Sequence, residues 1–173
     1  MKRGVVVALI LAAALGAAAA IVYRGRLPRM APDFVLEDLQ GSAVRLSNFR
    51  GRVVFLNVWT TWCEPCRVEM PSMEALHRRL AGEDFVVLAV SADADGRKVV
   101  VPFVKELGLT FEVLLDPDGQ MVGRYRVTGY PETFIVDRDG RILAHEIGPR
   151  DWSDGRYEQA LRTLIRTGTY EPP

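Results

Sequence analysis

Residues 53–71 read VVFLNVWTTWCEPCRVEMP, a strand, a turn and a helix in immediate succession. Val53 to Trp59 is an apolar run with too little alternation for a half-solvated strand, which marks a strand buried on both faces. From about Cys63 to Leu80, Met70, Met73, Leu76 and Leu80 recur at helical spacing. Pro65 falls in the first turn, where its missing N–H costs nothing, and Pro71 is placed to kink the helix. The two cysteines of the chain, Cys63 and Cys66, therefore stand at the helix N-terminus, one turn apart. Free N–H groups and the helix dipole stabilise a thiolate there, and in Cys-X-X-Cys motifs the thiol pKa drops from about 8.5 to between about 3.5 and 7.5. Cys63 is the expected attacking thiol. Cys66, deeper in the turn, is expected to resolve the mixed disulfide and release a reduced partner. A purely structural disulfide is the alternative, but so short a loop stabilises little.

Upstream, Phe34 to Leu36, Gln40-Gly41 and Val44 to Leu46 suggest an opening hairpin. Downstream come a second buried strand at Phe85 to Val90, a helix over Lys98 to Leu107 ended by Gly108, and a short strand or turn at Glu112 to Leu115. Pro117-Asp118-Gly119 turns the chain into Gln120 to Tyr125. Thr133 to Val136 and Arg141 to Glu146 flank Asp137-Arg138-Asp139-Gly140 as a hairpin, and Tyr157 to Arg166 is a closing amphipathic helix. Strands alternating with helices, then a hairpin and a helix, specify an α/β domain with a mixed sheet and helices on both faces.

The 173 residues suffice for one domain plus an extra segment. Twenty-two Lys and Arg balance 22 Asp and Glu, which excludes the basic field that non-specific nucleic-acid binding needs. Five of those bases precede Met30 and no acid does, leaving 17 bases against 22 acids in residues 30–173. Between Lys2-Arg3 and Arg24, the 20 residues Gly4 to Tyr23 are uninterruptedly apolar, long enough to span a bilayer. A cleaved secretory signal is the rival reading, with Ala17 to Ala20 offering small-residue cleavage sites. Either one exports the remaining chain. Residues 1–29 are thus expected to form a signal-anchor helix and basic tether, and residues 30–173 the folded domain.

Two distant segments carry a family resemblance. VVFLNVWTTWCEPCRVEMP resembles the active-site segment of the thioredoxin superfamily, and WCEPC is similar to its membrane-tethered TlpA/ResA/CcmG (DsbE) branch. Val127-Thr128-Gly129-Tyr130-Pro131-Glu132-Thr133-Phe134, about 70 residues later and directly before the hairpin, is similar to that family's cis-proline loop. The resemblance implies a thioredoxin-like fold with an N-terminal hairpin extension. It makes Cys63 the nucleophile, Cys66 the resolving thiol, and Pro131 a cis proline facing both. Gly129 and Tyr130 would line the substrate backbone, with Trp62, Glu64 and Pro65 on the rim. Thioredoxins carry a buried Asp where this chain has Asn57, and the resemblance nominates Glu69 to modulate thiol ionisation instead. An ordinary exposed helical carboxylate is the plain alternative for Glu69. Glu64 is favoured by the helix dipole yet repels a thiolate, two opposed effects.

The implied activity is protein thiol–disulfide exchange through a redox-active Cys63–Cys66 disulfide, with no other cofactor and no metal. In an oxidising compartment a dedicated reductant is needed where thiols must stay free, such as CxxCH segments awaiting haem. The resemblance implies apocytochrome c as the client, a transmembrane thiol-electron transporter as the reductant, and a single-pass protein with its catalytic domain outside the cytoplasmic membrane. An oxidase or isomerase is the same fold run the other way. A Cu(I) module using both thiolates would need a histidine that the motif lacks, and His145 would supply it only if the fold brought it to Cys63. A peroxidase is suggested by Thr60, three before Cys63, but Leu56 stands where those enzymes carry proline and Trp62 crowds the thiol. His77 and His145 otherwise read as unrelated surface or edge residues, Trp59 as core, and Trp152 as packing against the last helix rather than lining a groove.

Overall fold

A computed structural model describes residues 30–173; the apolar stretch Gly4 to Tyr23, and with it the choice between anchor and signal, lies outside the described residues. Among the described residues no helix is long and apolar enough to cross a membrane. β3 (Val53–Trp59) and β4 (Phe85–Ser91) run parallel, every residue of both buried. That burial on two faces is why neither strand alternates in hydropathy. β5 (Glu112–Leu115) extends the parallel set beside β4, while β6 (Glu132–Val136) lies antiparallel to β3 and β7 (Ile142–Ile147) antiparallel to β6. The opening hairpin, β1 (Val35–Asp38) and β2 (Ala43–Arg45), does not stand apart: β1 pairs antiparallel with β5. The seven strands run β2-β1-β5-β4-β3-β6-β7.

The hairpin strands sit slightly off their expected limits, for local reasons. The Asp38 carboxylate accepts the N–H groups of Gln40 and Ser42 and closes the turn. Leu46 leaves the ladder for a 3-10 turn, Leu46–Phe49, because the N–H and hydroxyl of Ser47 are captured by Asp33.

Alternation along β3 divides the core. Val53, Phe55 and Trp59 face α1 (Glu64–Arg79), α2 (Arg97–Leu107) and α4 (Gly155–Thr167), packing on Met70, Met73, Leu76, Val100, Phe103, Leu161 and Leu164. Val54, Leu56 and Val58 face the other layer, where Met121 and Tyr125 of α3 (Gln120–Tyr125) join Phe34, Leu46 and Phe134. Asn57 shares the first face with Phe55 and Trp59, so a single amide is set under α1 in an otherwise apolar row. The helix runs through Pro71 without interruption, with Cys63 as its N-cap and Leu80 as its C-cap.

Candidate active site

The Cys63–Cys66 disulfide sits where β3 hands the chain to α1. Cys66 is wholly buried and Cys63 nearly so. The Cys66 N–H donates to Cys63 Sγ at 3.2 Å, so the sulfur itself caps the helix. Glu64 opens the first turn with Pro65 behind it, both exposed. The turn ahead of them is held from β4: Asp93 accepts the Thr61 N–H at 2.9 Å, the Thr61 hydroxyl at 2.7 Å and the Ser91 hydroxyl at 2.8 Å.

Glu69 lies three residues past Cys66, a spacing that puts two side chains on one helix face with Cβ atoms roughly 5–6 Å apart. It is only 2% exposed, which removes the ordinary surface-carboxylate reading. Its Oε1 accepts from Asn57 Nδ2 at 2.9 Å, and its Oε2 from the Arg150 N–H at 3.1 Å and Trp152 Nε1 at 3.3 Å. Burial pushes the carboxyl up to about 7 against the downward pull of those three donors and of the Arg150 charge. Asn57 is no proton acceptor here; it is a donor that also reaches Thr133 Oγ1 at 2.9 Å and so ties α1 to β6.

The Tyr130–Pro131 peptide is cis. Tyr130 meets Trp62 edge to face, ring centroids 5.7 Å apart, which brings this loop against the helix N-terminus. Trp62 itself is 72% exposed, an aromatic rim next to Cys63 in the chain. Pro131 is buried, Tyr130 half-buried and Gly129 exposed. Trp152 is fully buried, its ring on Phe55 at 4.7 Å and on Tyr157 of α4 at 4.6 Å, the packing role expected of it. Its indole donation to Glu69 is an addition that no local pattern signals.

His145 does lie on the edge strand β7, but its side chain is engaged: its Nε2 lies 2.6 Å from Glu132 Oε2, and its ring stacks on Phe134 at 4.2 Å. Phe134 belongs to the α3 side of the sheet and Cys63 to the other, so the histidine that the copper reading needed is engaged on the opposite face. Among the described residues no cluster of three His, Cys, Asp or Glu side chains is arranged to hold a metal ion. Sequence reasoning missed Glu132, Asp93, the Arg150–Trp152 segment and the donor role of Asn57, because each acts through a partner on another element. The available signals were a charged or amide side chain inside or just after a strand otherwise read as core.

A disulfide pair on a helix N-terminus, a cis proline next to the tyrosine that meets Trp62 and a buried acid one helical turn on narrow the relationships to be expected. A model of the AhpC/TSA family matches residues 28–145, more than half the chain. The chain belongs to that family. Within it, the chain is 37% identical over 145 residues to the thiol-disulfide oxidoreductase ResA of Bacillus cereus, covering 80% of this chain and 83% of that one. It is 35% identical over 153 residues to ResA of Bacillus thuringiensis, covering 83% and 86%. A Chlorobium tepidum structure described as a DsbE-type thiol:disulfide interchange protein superposes with TM-score 0.73 at 34% identity, covering 80% of this chain and 98% of that one. StoA of Bacillus subtilis superposes with TM-score 0.66 at 25% identity, covering 76% and 99%. The fold is thioredoxin-like, and the enzyme is a thiol-disulfide oxidoreductase.

Proposed function

We propose that this oxidoreductase works as a reductant of protein disulfides, exported and tethered by its N-terminal segment. Its client class is the CxxCH thiol pair of apocytochrome c, and its electrons come from a transmembrane thiol-electron transporter. The observation that carries the direction is the buried Glu69. When Glu69 is ionised, a carboxylate one helical turn from Cys66 disfavours the thiolate, and a dithiol whose thiolate is disfavoured gives up its electrons more readily. The Cys66 N–H on Cys63 Sγ pulls the other way, toward a stabilised thiolate and a more oxidising pair. Both act in buried surroundings, but Glu69 carries a full charge and the N–H only a partial one, so the proposed direction follows Glu69.

In the forward step Cys63 thiolate attacks one sulfur of the client disulfide, forming a mixed disulfide and releasing a client thiolate. Cys66, its proton passed toward the Glu69 carboxylate, then attacks Cys63 Sγ and releases the second client thiolate. Two electrons leave the Cys63–Cys66 dithiol and two reach the client. Pro131 lacks an N–H that would interrupt an extended client strand, and the Tyr130 backbone and the Gly129 carbonyl are offered beside it, with Trp62 as an aromatic wall. Tethering raises the effective concentration beside a membrane reductant.

Trapping tests this reading. Cys66→Ser leaves the mixed disulfide unresolved, so the full-length variant is expected to accumulate as a covalent adduct with CxxCH clients on non-reducing gels, and Cys63→Ser to form none. A Cys66→Ser protein that turns over normally contradicts the mechanism.

A further inference from the structure

We infer that Glu132, held by His145, is a positioning residue that sets the client-binding backbone before Pro131 and so lets the enzyme favour polypeptide disulfides over small ones. The inference rests on the client-reductase reading of this site and adds a residue pair to it.

Glu132 is completely inaccessible, and a carboxylate so placed needs partners for every lone pair it hides. It finds them in one loop and one strand. Oε1 accepts three times, from the Thr128 N–H at 2.8 Å, the Thr128 hydroxyl at 3.0 Å and the Gly129 N–H at 3.1 Å. Oε2 meets His145 Nε2 at 2.6 Å. Burial alone would raise this carboxyl, yet the loop N–H groups, His145 and the Thr128 hydroxyl together hold it below its ordinary value, so it is a carboxylate at neutral pH. One side chain thus gathers two consecutive N–H groups immediately before the Tyr130–Pro131 bond, and it is anchored from behind by β7. The histidine is in turn fixed by its stack on Phe134, so it cannot swing away without losing that contact.

The fixed peptides are those whose neighbours face the groove. Tyr130, the next residue, leans on Trp62 beside the disulfide, and Gly148 N–H binds the Pro131 carbonyl at 2.9 Å from the end of β7. None of these contacts touches Cys63, Cys66 or Glu69. Loss of Glu132 should therefore loosen the surface that receives an extended chain while sparing thiol chemistry, a different outcome from perturbing the cysteines.

The test compares two oxidants of the pre-reduced full-length protein: a peptide with an intramolecular Cys-X-X-Cys-His disulfide, and 5,5′-dithiobis(2-nitrobenzoate), which needs no groove. Hydrogen bonds to a charged group are worth enough that Glu132→Ala is expected to lower the ratio of the peptide rate constant to the small-disulfide rate constant by about tenfold. Glu132→Gln keeps a carbonyl for the two N–H groups and should restore most of the ratio. His145→Phe keeps the stack on Phe134 but cuts the anchor, and should lower the ratio by roughly threefold. A ratio unchanged in Glu132→Ala overturns the inference, whether both rate constants fall together or neither falls. Should Glu132→Ala fail to fold, His145→Phe decides alone: a selective loss supports the pair, an unchanged ratio overturns it. Wild-type protein that does not reduce the peptide at all counts instead against the reductase reading, before any variant is compared.

Discussion

At Glu69 a single carboxyl carries two consequences of burial. Its proton affinity is raised from about 4.5 to about 7, so the folded state binds that proton more tightly than the unfolded chain does. The contribution to stability is fully present below about pH 4.5, falls as the unfolded chain ionises first, and is gone once pH has risen through about 7. The oxidised protein should therefore lose on the order of 3 kcal/mol between pH 4 and pH 8 from this group, a slope that Glu69→Gln flattens in denaturant titrations. The same ionisation acts on the thiols. With the carboxylate removed, Cys63 alkylation in Glu69→Gln is expected to reach half its maximum rate at lower pH than in the wild type; an identical profile would sever Glu69 from the cysteines. Glu69 was legible in the sequence only as a nominee of the family pattern. Its burial depends on Asn57, Arg150 and Trp152, 12, 81 and 83 residues away, and no local periodicity can report that.

Elements set the site by reaching across to one another. The segment after β7 drops Trp152 under α1, where its N–H binds Ser72 Oγ at 3.0 Å and its indole reaches Glu69. Trp152→Phe keeps an aromatic ring against Phe55 and Tyr157 but deletes the indole donor. Glu69 should then rise further, and the inflection it imposes on the alkylation profile should move to higher pH; an unmoved inflection would show that the indole does not matter to the acid. From the other side, Asp93 ties the end of β4 to the turn before Cys63. Asp93→Ala strands the Ser91 and Thr61 donors and is expected to cost about 2 kcal/mol in denaturant unfolding. The helices and central strands were legible because their patterns are strong: Met70, Met73 and Leu76 mark the buried stripe of α1, and β3 and β4 are buried throughout and apolar but for Asn57 and Ser91. The hairpin limits were not, since Asp33 and Asp38 redirect the backbone through side-chain bonds.

Taken whole, the molecule is a mixed sheet with its reactive centre at the C-terminal end of β3, where α1 begins and the loop before β6 comes alongside. That placement was foreseeable from the order of elements and from two short motifs, around Cys63 and Pro131, 68 residues apart. What no reading of separate segments could supply was the face on which each polar side chain lands. His145 is the instructive case: strand alternation allowed either side, and its true partner is Glu132 rather than a cysteine. The central claim is that this assembly is a reductant, and the reduction potential of the Cys63–Cys66 couple tests it most directly. Full-length protein equilibrated against a series of dithiothreitol and glutathione redox buffers, with the fraction of dithiol read by thiol labelling, is predicted to give a value below about −230 mV. A value above about −150 mV would mean an oxidant or isomerase and would contradict the account.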